Sequence, residues 1–181
     1  SVPSGFAVHN VQTCDIDAMG LLCRNELQNV ERLERSMGTL GGGNHFVELD
    51  IAGNGDTYLV VHSGSRNLGL QVAKIYQQKA VETCKEPTPK GLEYLTSELR
   101  DAYLHDMRLC QRWAALNREA MMHAIYREAR LGVLMGGTFH TVHNYIGDDG
   151  IVRKGAISAQ EGERVLIPLN MRDGSVLGVG R

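Results

Sequence analysis

The chain has little proline, cysteine or aromatic residue, and no long apolar run. Of 181 residues, 4 are proline and 4 are cysteine, and aromatic residues make up 6%. The cysteines are scattered without a Cys-x-x-Cys pair, which indicates neither a zinc ribbon nor a disulfide framework and fits a reducing cytosol. No apolar stretch approaches the length that a membrane helix needs. We therefore predict a cytoplasmic protein with no membrane contact.

The chain also has no excess of positive charge. Its net charge of −2 and pI of about 6.4 exclude a protein that binds nucleic acid through bulk positive charge, although local arginines could still hold an RNA end or a nucleotide. What is abundant is glycine, with 21 residues in short clusters. Such clusters predict tight turns whose backbone has a function rather than low complexity.

The apolar pattern predicts an α+β protein with mixed sheets and flanking helices. At 181 residues the chain can bury one good core, so we predict a single domain over 1–181. Pro87 and Pro89 predict a connection between two helices. Period and turn signals predict the following elements: helices over 18–36, 68–84 and 92–131, and strands over 46–51, 58–61, 151–157, 164–168 and 176–179, with 139–146 leading into another.

Two histidines stand at strand edges beside glycine-rich turns. A glycine run delivers Asn44 and His45 into the first strand, and the second strand ends in His62-Ser-Gly-Ser-Arg66. Imidazole is a common metal ligand, and the guanidinium of Arg66 can fork onto phosphate oxygens. The alternatives are a core histidine bonded to the backbone and an ordinary helix cap. The pattern favours a metal beside a phosphate-binding loop, which is equipment for phosphoryl or nucleotidyl transfer.

Two further positions carry polar side chains that call for partners. His140 and His143 share one face only if their segment is helical, and the flanking residues favour an extended chain, so we select His143 with Asn144 for the site. Asn117 lies on the apolar stripe of the long helix. A buried amide needs hydrogen-bond partners, so Asn117 either ties the helix to backbone or faces a ligand.

Together these segments resemble the RtcB-type RNA ligases. That family depends on GTP and manganese and joins RNA 3′-phosphate or 2′,3′-cyclic phosphate ends to 5′-hydroxyl ends, as in tRNA splicing and RNA repair. The resemblance implies an RtcB-like fold and a reaction that passes through a guanylylated histidine. It is carried, in family order, by Gly38-Thr-Leu-Gly-Gly-Gly-Asn-His-Phe46, His62-Ser-Gly-Ser-Arg66, Ala115-Leu-Asn-Arg-Glu-Ala-Met-Met122, His143-Asn144 and Arg153-Lys-Gly-Ala156.

The resemblance also implies roles for individual residues. His45, His62 and His143 would bind manganese, while Arg66 and Asn117 would lie near the substrate phosphate. The guanylate would be surrounded by Asn44, Phe46, Asn144, Pro168, Leu169, Asn170, Met171 and Ser175.

The chain departs from the family pattern in three ways. No counterpart of the family's upstream aspartate-and-cysteine metal motif is found, and its nucleophilic histidine, in a His-Gly-Ala-Gly-Arg segment, would lie beyond Arg181. Asn170 stands where family members often carry serine. We therefore expect a central part of an RtcB-like ligase, incomplete at both ends and inactive by itself. Two alternatives stay open: a metal-dependent phosphoesterase, and a non-catalytic module that binds nucleotide or RNA ends.

Overall fold

A computed structural model describes residues 1–130, 137–170 and 174–181. The chain divides into two compact units, which are described separately. Unit 1 comprises Ser1–Glu48 and Val61–Leu131, and unit 2 comprises Leu49–Val60 and Gly132–Arg181. The prediction of a single domain over the whole chain stays a prediction. No helix in the described ranges has the length and apolar character needed to cross a membrane.

Two long helices form the centre of unit 1. Helix α2 spans Leu68–Thr83 and helix α3 spans Ser97–Ala129, and they pack against each other. The buried side chains recur every three or four residues, which is the spacing of one helix face: Leu68, Val72, Tyr76 and Ala80 on α2, and Asp106, Cys110, Trp113, Asn117 and Met121 on α3.

The predictions of both helices are confirmed, with one change at the start of α3. The helix begins at Ser97, so Leu92 lies outside it and is exposed rather than part of its apolar stripe. Residues 84–96 contain no helix or strand and join α2 to α3, as the two prolines predict.

The predicted helix over 18–36 is wrong. The structure has two short 3-10 helices, Asp17–Met19 and Arg24–Glu26. The short α-helix α1 follows over Val30–Glu34. Gly20 at φ 76° and Asn29 at φ 51° are both left-handed, and a left-handed residue ends a right-handed helix. The apolar spacing that suggests a helix here serves a folded irregular segment.

A buried carboxylate accepts hydrogen bonds from two backbone N–H groups of that segment. Asp106 on α3 accepts from the N–H of Leu22 at 2.8 Å, from the N–H of Cys23 at 3.0 Å and from the hydroxyl of Tyr76 at 2.9 Å. Burial by itself raises the pKa of a carboxyl group, but hydrogen bonds from Leu22, His105 and Cys23 outweigh it. The pKa of Asp106 is therefore lowered below its usual range, and the charged side chain anchors the segment.

The strands in the described part of the chain form three two-stranded sheets. The α+β class is confirmed, but the two sheets of unit 2 whose register is defined are purely antiparallel, so the prediction of mixed sheets is wrong for them. Few residues separate the two strands of each pair along the chain, and so short a connection permits only antiparallel pairing. The pairs are β1, Phe46–Ile51, with β2, Thr57–His62; β3, Asn144–Ile146, with β4, Val152–Lys154; and β5, Arg164–Asn170, with β6, Gly174–Val179.

Candidate functional site

The backbone of the glycine loop, residues 38–43, positions the ring of His45 through a hydrogen bond. The ring atom Nδ1 of His45 lies 2.8 Å from the carbonyl oxygen of Leu40, and the hydroxyl of Ser63 donates to the same oxygen at 2.8 Å. A carbonyl oxygen only accepts, so Nδ1 is the protonated nitrogen in this arrangement. The lone pair of Nε2 is then left for a ligand, which is how a metal-binding imidazole is commonly oriented.

Gly41 is required by this packing. Its φ is +92°, and a Cβ added there would lie 2.7 Å from Nδ1 of His45 and would also collide with Nη1 of Arg66. Across the ring, a Cβ at Gly64 would lie 3.9 Å from Nε2 of His45, so the turn after β2 passes close to that nitrogen. Gly41 therefore lets the backbone approach the imidazole closely on the Nδ1 side.

His62 ends β2 next to His45. The two ring centroids are 5.9 Å apart, with the planes tilted by 51°. Phe46 meets the ring of His62 edge-on, with centroids 5.1 Å apart and planes at 89°, which is a favourable arrangement of two rings. The two rings therefore lie side by side, the predicted metal binding by them stays a prediction, and the neighbouring Asn44 is exposed.

Asn117 ties α3 to the glycine loop and to the loop after β2. Its fully buried side chain accepts at Oδ1 from the N–H groups of Gly38 (2.7 Å) and Thr39 (3.1 Å). Its Nδ2 donates to the carbonyl oxygens of Thr39 (3.2 Å) and Gly64 (3.1 Å) and to the hydroxyl of Ser63 (3.2 Å). Of the two alternatives, the tie to backbone describes this structure. Contact with RNA phosphate stays a prediction that would require these bonds to be exchanged.

Arg66 ties the glycine loop to the N-terminal segment. Its Nε donates to the hydroxyl of Thr39 at 2.9 Å, and its Nη2 donates to the carbonyl oxygen of Gly5 at 2.9 Å. Burial lowers the pKa of Arg66, and the nearby charge of Arg32 lowers it further. These two bonds use two of the five N–H donors of a guanidinium. The predicted contact with phosphate stays a prediction.

Arg118 also lies at this site, although its sequence context suggests no more than a solvated charge. Its Nη1 donates to the carbonyl oxygen of Ser63 at 3.1 Å, and burial lowers its pKa. The sequence signal that could have identified Arg118 is its position next to Asn117, the polar residue on the apolar stripe of α3. Both residues belong to the helix turn that contacts the loop after β2. Arg118 thus helps to hold that loop beside His62.

The predicted histidine and asparagine of unit 2 lie where β3 begins. The carbonyl oxygen of His143 accepts from the N–H of Ala156 at 3.2 Å, and Oδ1 of Asn144 accepts from the N–H of Gly155 at 3.1 Å. The extended conformation predicted for this segment is confirmed, since 137–143 has no helix and β3 follows.

The predicted guanylate-binding residues near the C-terminus lie on the β5–β6 hairpin. Pro168 is paired with Ser175 and Asn170 with Gly174, and the register is irregular between Pro168 and Asn170. Proline has no N–H for the ladder, which fits an irregularity at this place. The hairpin therefore brings several predicted positions to one end of the same pair of strands.

Two details qualify that hairpin. Leu169 is exposed, and the Oγ of Ser175 is buried without a hydrogen-bond partner in the described part of the chain. The side chain of Asn170 and the whole of Met171 lie outside the described residues, so their predicted roles stay predictions.

Within residues 1–130, 137–170 and 174–181, no group of three or more His, Cys, Asp or Glu side chains is arranged to hold a metal ion. His45 and His62 form a pair in unit 1, and His143 belongs to unit 2. The assignment of all three histidines to one manganese ion therefore stays a prediction.

Comparison with known proteins identifies the family. A family model described as tRNA-splicing ligase RtcB matches residues 12–181. The chain belongs to the RtcB family. It is 30% identical to the RNA-splicing ligase RtcB of Escherichia coli K12 over 164 residues, and 30% identical over 161 residues to RtcB1 of a second E. coli strain. The names of these relatives belong to the ligase class of enzymes, as the motifs predict.

A third relative is archaeal and more partial. The tRNA-splicing ligase RtcB of Pyrococcus horikoshii is 30% identical over 108 residues, which cover 48% of this RtcB-family chain and 12% of the relative. The match to each E. coli protein covers 76% of the chain and 39% of the relative, so the chain spans about two fifths of the length of those relatives. No solved structure gives a significant match.

Proposed function

We propose that this chain is the metal- and guanylate-binding core of a GTP- and manganese-dependent RNA ligase. The proposed reaction joins an RNA 3′-phosphate or 2′,3′-cyclic phosphate to a 5′-hydroxyl end through a guanylylated histidine, with tRNA halves or broken RNA as substrates. Family membership supports the reaction class. An RtcB-like fold for the whole protein and a cytoplasmic location are part of the same proposal.

The pair of imidazoles in unit 1 is the observation that carries the proposal. His45 is held through Nδ1 by Leu40, which leaves Nε2 as the ligating nitrogen, and the ring of His62 is 5.9 Å away between centroids. A ligating nitrogen lies about 2 Å from a first-row metal, so two rings at this separation suit one ion between them. His143 is assigned as a third ligand on the family motif.

Manganese would supply electrostatic stabilisation to phosphate oxygens and help to orient an in-line attack. The protein groups do the rest of the positioning. Leu40 fixes the tautomer of His45, Phe46 fixes the plane of His62, and Asn117 holds the two loops that adjoin these histidines. These contacts fix the rings and loops in place, so little reorganisation is needed when a ligand binds.

We assign guanylate binding to two sets of residues. Asn44 and Phe46 adjoin the histidine pair in unit 1, and the assigned residues of unit 2 lie at β3 and on the β5–β6 hairpin. The Oγ of Ser175 supports this assignment, because it is buried with no hydrogen-bond partner among the described residues, and such a group calls for a partner that a ligand could supply. The remaining assigned residues of unit 2 are Asn144, Pro168, Leu169, Asn170 and Met171.

The metal assignment is tested by titrating the 181-residue chain with manganese and following the electron paramagnetic resonance signal of the free ion. We expect His45→Ala and His62→Ala each to weaken binding by at least about 10-fold, because each removes one nitrogen ligand. His123→Ala is the matched control, since His123 is an exposed histidine on α3.

Circular dichroism spectra should be the same for all of these variants. Equal manganese affinity for wild type and both site variants would remove metal binding from this pair. A uniform loss that includes His123→Ala would show that the effect is not local to the site.

A further inference from the structure

The N-terminal segment presents an aromatic ring to solvent. Residues 4–7 form a turn in which the N–H of Ala7 donates to the carbonyl oxygen of Ser4 at 3.1 Å. Phe6 lies in this turn with 93% of its surface exposed, the largest value among the exposed large apolar residues that the structure describes. A phenylalanine normally gains by burial, so a ring held in this position is available to a ligand.

The turn is fixed to the glycine loop rather than loose. The N–H of Gly5 donates to the carbonyl oxygen of Gly41 at 2.8 Å, and the N–H of Leu40 donates to the carbonyl oxygen of Pro3 at 2.8 Å. The carbonyl oxygen of the same residue, Leu40, accepts from Nδ1 of His45. One residue therefore links the turn that carries Phe6 to the imidazole of the proposed metal site.

Two guanidinium groups hold the same turn. Arg66 donates to the carbonyl oxygen of Gly5 at 2.9 Å, and Arg32 donates to the carbonyl oxygen of Phe6. Neither forms an ion pair with a carboxylate in the described ranges, and the charge of Arg32 is one cause of the lowered pKa of Arg66. Two like charges near one another favour an anion between them.

We propose that the Phe6 turn is a stacking site for a nucleobase of single-stranded RNA, with Arg32 and Arg66 receiving the adjoining phosphate. An aromatic ring binds the face of any base, and an arginine fork suits phosphate, so the pair of features matches one nucleotide. RNA as the ligand rests on the proposed function. The assignment of Phe6 and Arg32 deepens that function by giving the RNA strand a place beside the glycine loop.

The experiment compares two fluorescent probes of roughly ten nucleotides: a single-stranded RNA, and an abasic chain of the same length and charge. Binding to the 181-residue chain is measured by anisotropy. We expect Phe6→Ala to weaken RNA binding about 5- to 150-fold and to leave abasic binding unchanged, because only the stacking is removed. Phe6→Trp should retain the preference for RNA.

The arginine has a separate readout. Arg32→Ala should weaken binding of both probes and reduce the slope of log affinity against log salt by about 0.7 for each phosphate that the protein no longer neutralises. Arg100→Ala removes the same charge from an exposed position on α3, and Val11→Ala removes an exposed apolar group from the N-terminal segment; both should bind as wild type does.

The stacking site would be overturned by an unchanged affinity of Phe6→Ala for RNA, by equal losses for RNA and abasic probes, or by wild type showing no preference between them. These results leave the manganese titration unaffected, since no RNA is present there. If the wild-type chain does not bind manganese, that result would instead count against the proposed function.

Discussion

The candidate site residues of unit 1 are held differently from those of unit 2. In unit 1, loops on either side of the histidine pair are joined to α3 by buried polar groups, with Asn117 alone making five hydrogen bonds. In unit 2, His143 directly precedes β3 and Ser175 lies on β6, and each of these strands belongs to a two-stranded sheet. Of the buried apolar residues that the structure describes, unit 2 contributes only Val60 and Val165.

This difference shows which half of the proposed site is built in by its own packing. A two-stranded hairpin is marginal by itself, whereas a fully bonded buried amide specifies one arrangement. Several apolar side chains of β5 and β6 are exposed: Ile167, Leu169, Val176, Leu177 and Val179. The geometry around His45 is thus preorganised, and that around Ser175 depends on fewer contacts.

Removing the amide of Asn117 should have the largest effect on stability. We expect Asn117→Ala to lower the free energy of unfolding by about 3 kcal/mol, because it leaves the N–H groups of Gly38 and Thr39 buried without a partner. Urea unfolding followed by circular dichroism measures this loss. Leu116→Ala, at an exposed neighbour on α3, should change it by less than about 0.5 kcal/mol. Equal losses would show that unit 1 is not anchored through this amide.

Asp106 tests the anchoring of the irregular N-terminal region. Its pKa is lowered from 3.8 in the folded protein, so its contribution to stability is fully present above about pH 4 and is lost as the pH falls through the lowered value. We expect Asp106→Asn to cost about 2 kcal/mol at neutral pH and to flatten the acid branch of the stability profile.

Urea unfolding repeated between neutral and acid pH gives this profile. Asp101→Asn, at an exposed position paired with Arg100, is the control and should keep the profile of wild type. An acid branch that is as steep in Asp106→Asn as in wild type would contradict the role assigned to the buried carboxylate.

Variants of two glycines in the glycine loop distinguish the cost of a left-handed backbone from the cost of a steric collision. We expect Gly41→Ala to cost about 2 kcal/mol and to lower manganese affinity, because its Cβ would meet His45 and Arg66. Gly43→Ala has a similar φ of +77° with nothing within 4 Å, so it should cost about 1 kcal/mol and leave manganese binding intact. If both variants bind manganese equally, the fit around His45 does not control the metal.

The smallest change in stability is expected in unit 2. Ser175→Ala removes a buried hydroxyl that has no hydrogen-bond partner among the described residues, so the free energy of unfolding should stay the same or rise by up to about 1 kcal/mol. The Oγ of Ser158 donates to Glu163 at 2.6 Å, and Ser158→Ala should cost about 1 kcal/mol. A larger loss for Ser175→Ala than for Ser158→Ala would show a contact that supports the hairpin.

The sequence predicted those parts of the fold in which local pattern and tertiary packing agree. Strong apolar period and turn residues locate α2, α3 and the strands that follow them, and the glycine run draws attention to His45 and His62, whose rings lie side by side in unit 1. The helix expected over 18–36 is interrupted by the left-handed Gly20 and Asn29, and the N–H groups of Leu22 and Cys23 donate instead to Asp106, more than eighty residues away along the chain. No local pattern contains that information.

The polar residues of α3 show the same limit at the site. Asn117 stands out on an apolar stripe, yet only the fold decides between backbone and ligand as its partner. Asp106 and Arg118 carry charge on the same helix and resemble solvated positions, although one is fully buried and the other donates to the loop after β2. Their partners are distant in sequence, so spacing alone could not assign them.

The bonds made by Asn117 have a consequence for hydrogen exchange. Glycine-rich loops usually exchange their amide protons quickly, because they open without disturbing a core. Here the amide protons of Gly38 and Thr39 are bonded to a side chain inside the helix packing. They should exchange as slowly as those in the middle of α3, and deuterium would then enter the rest of the loop long before it reaches these two positions.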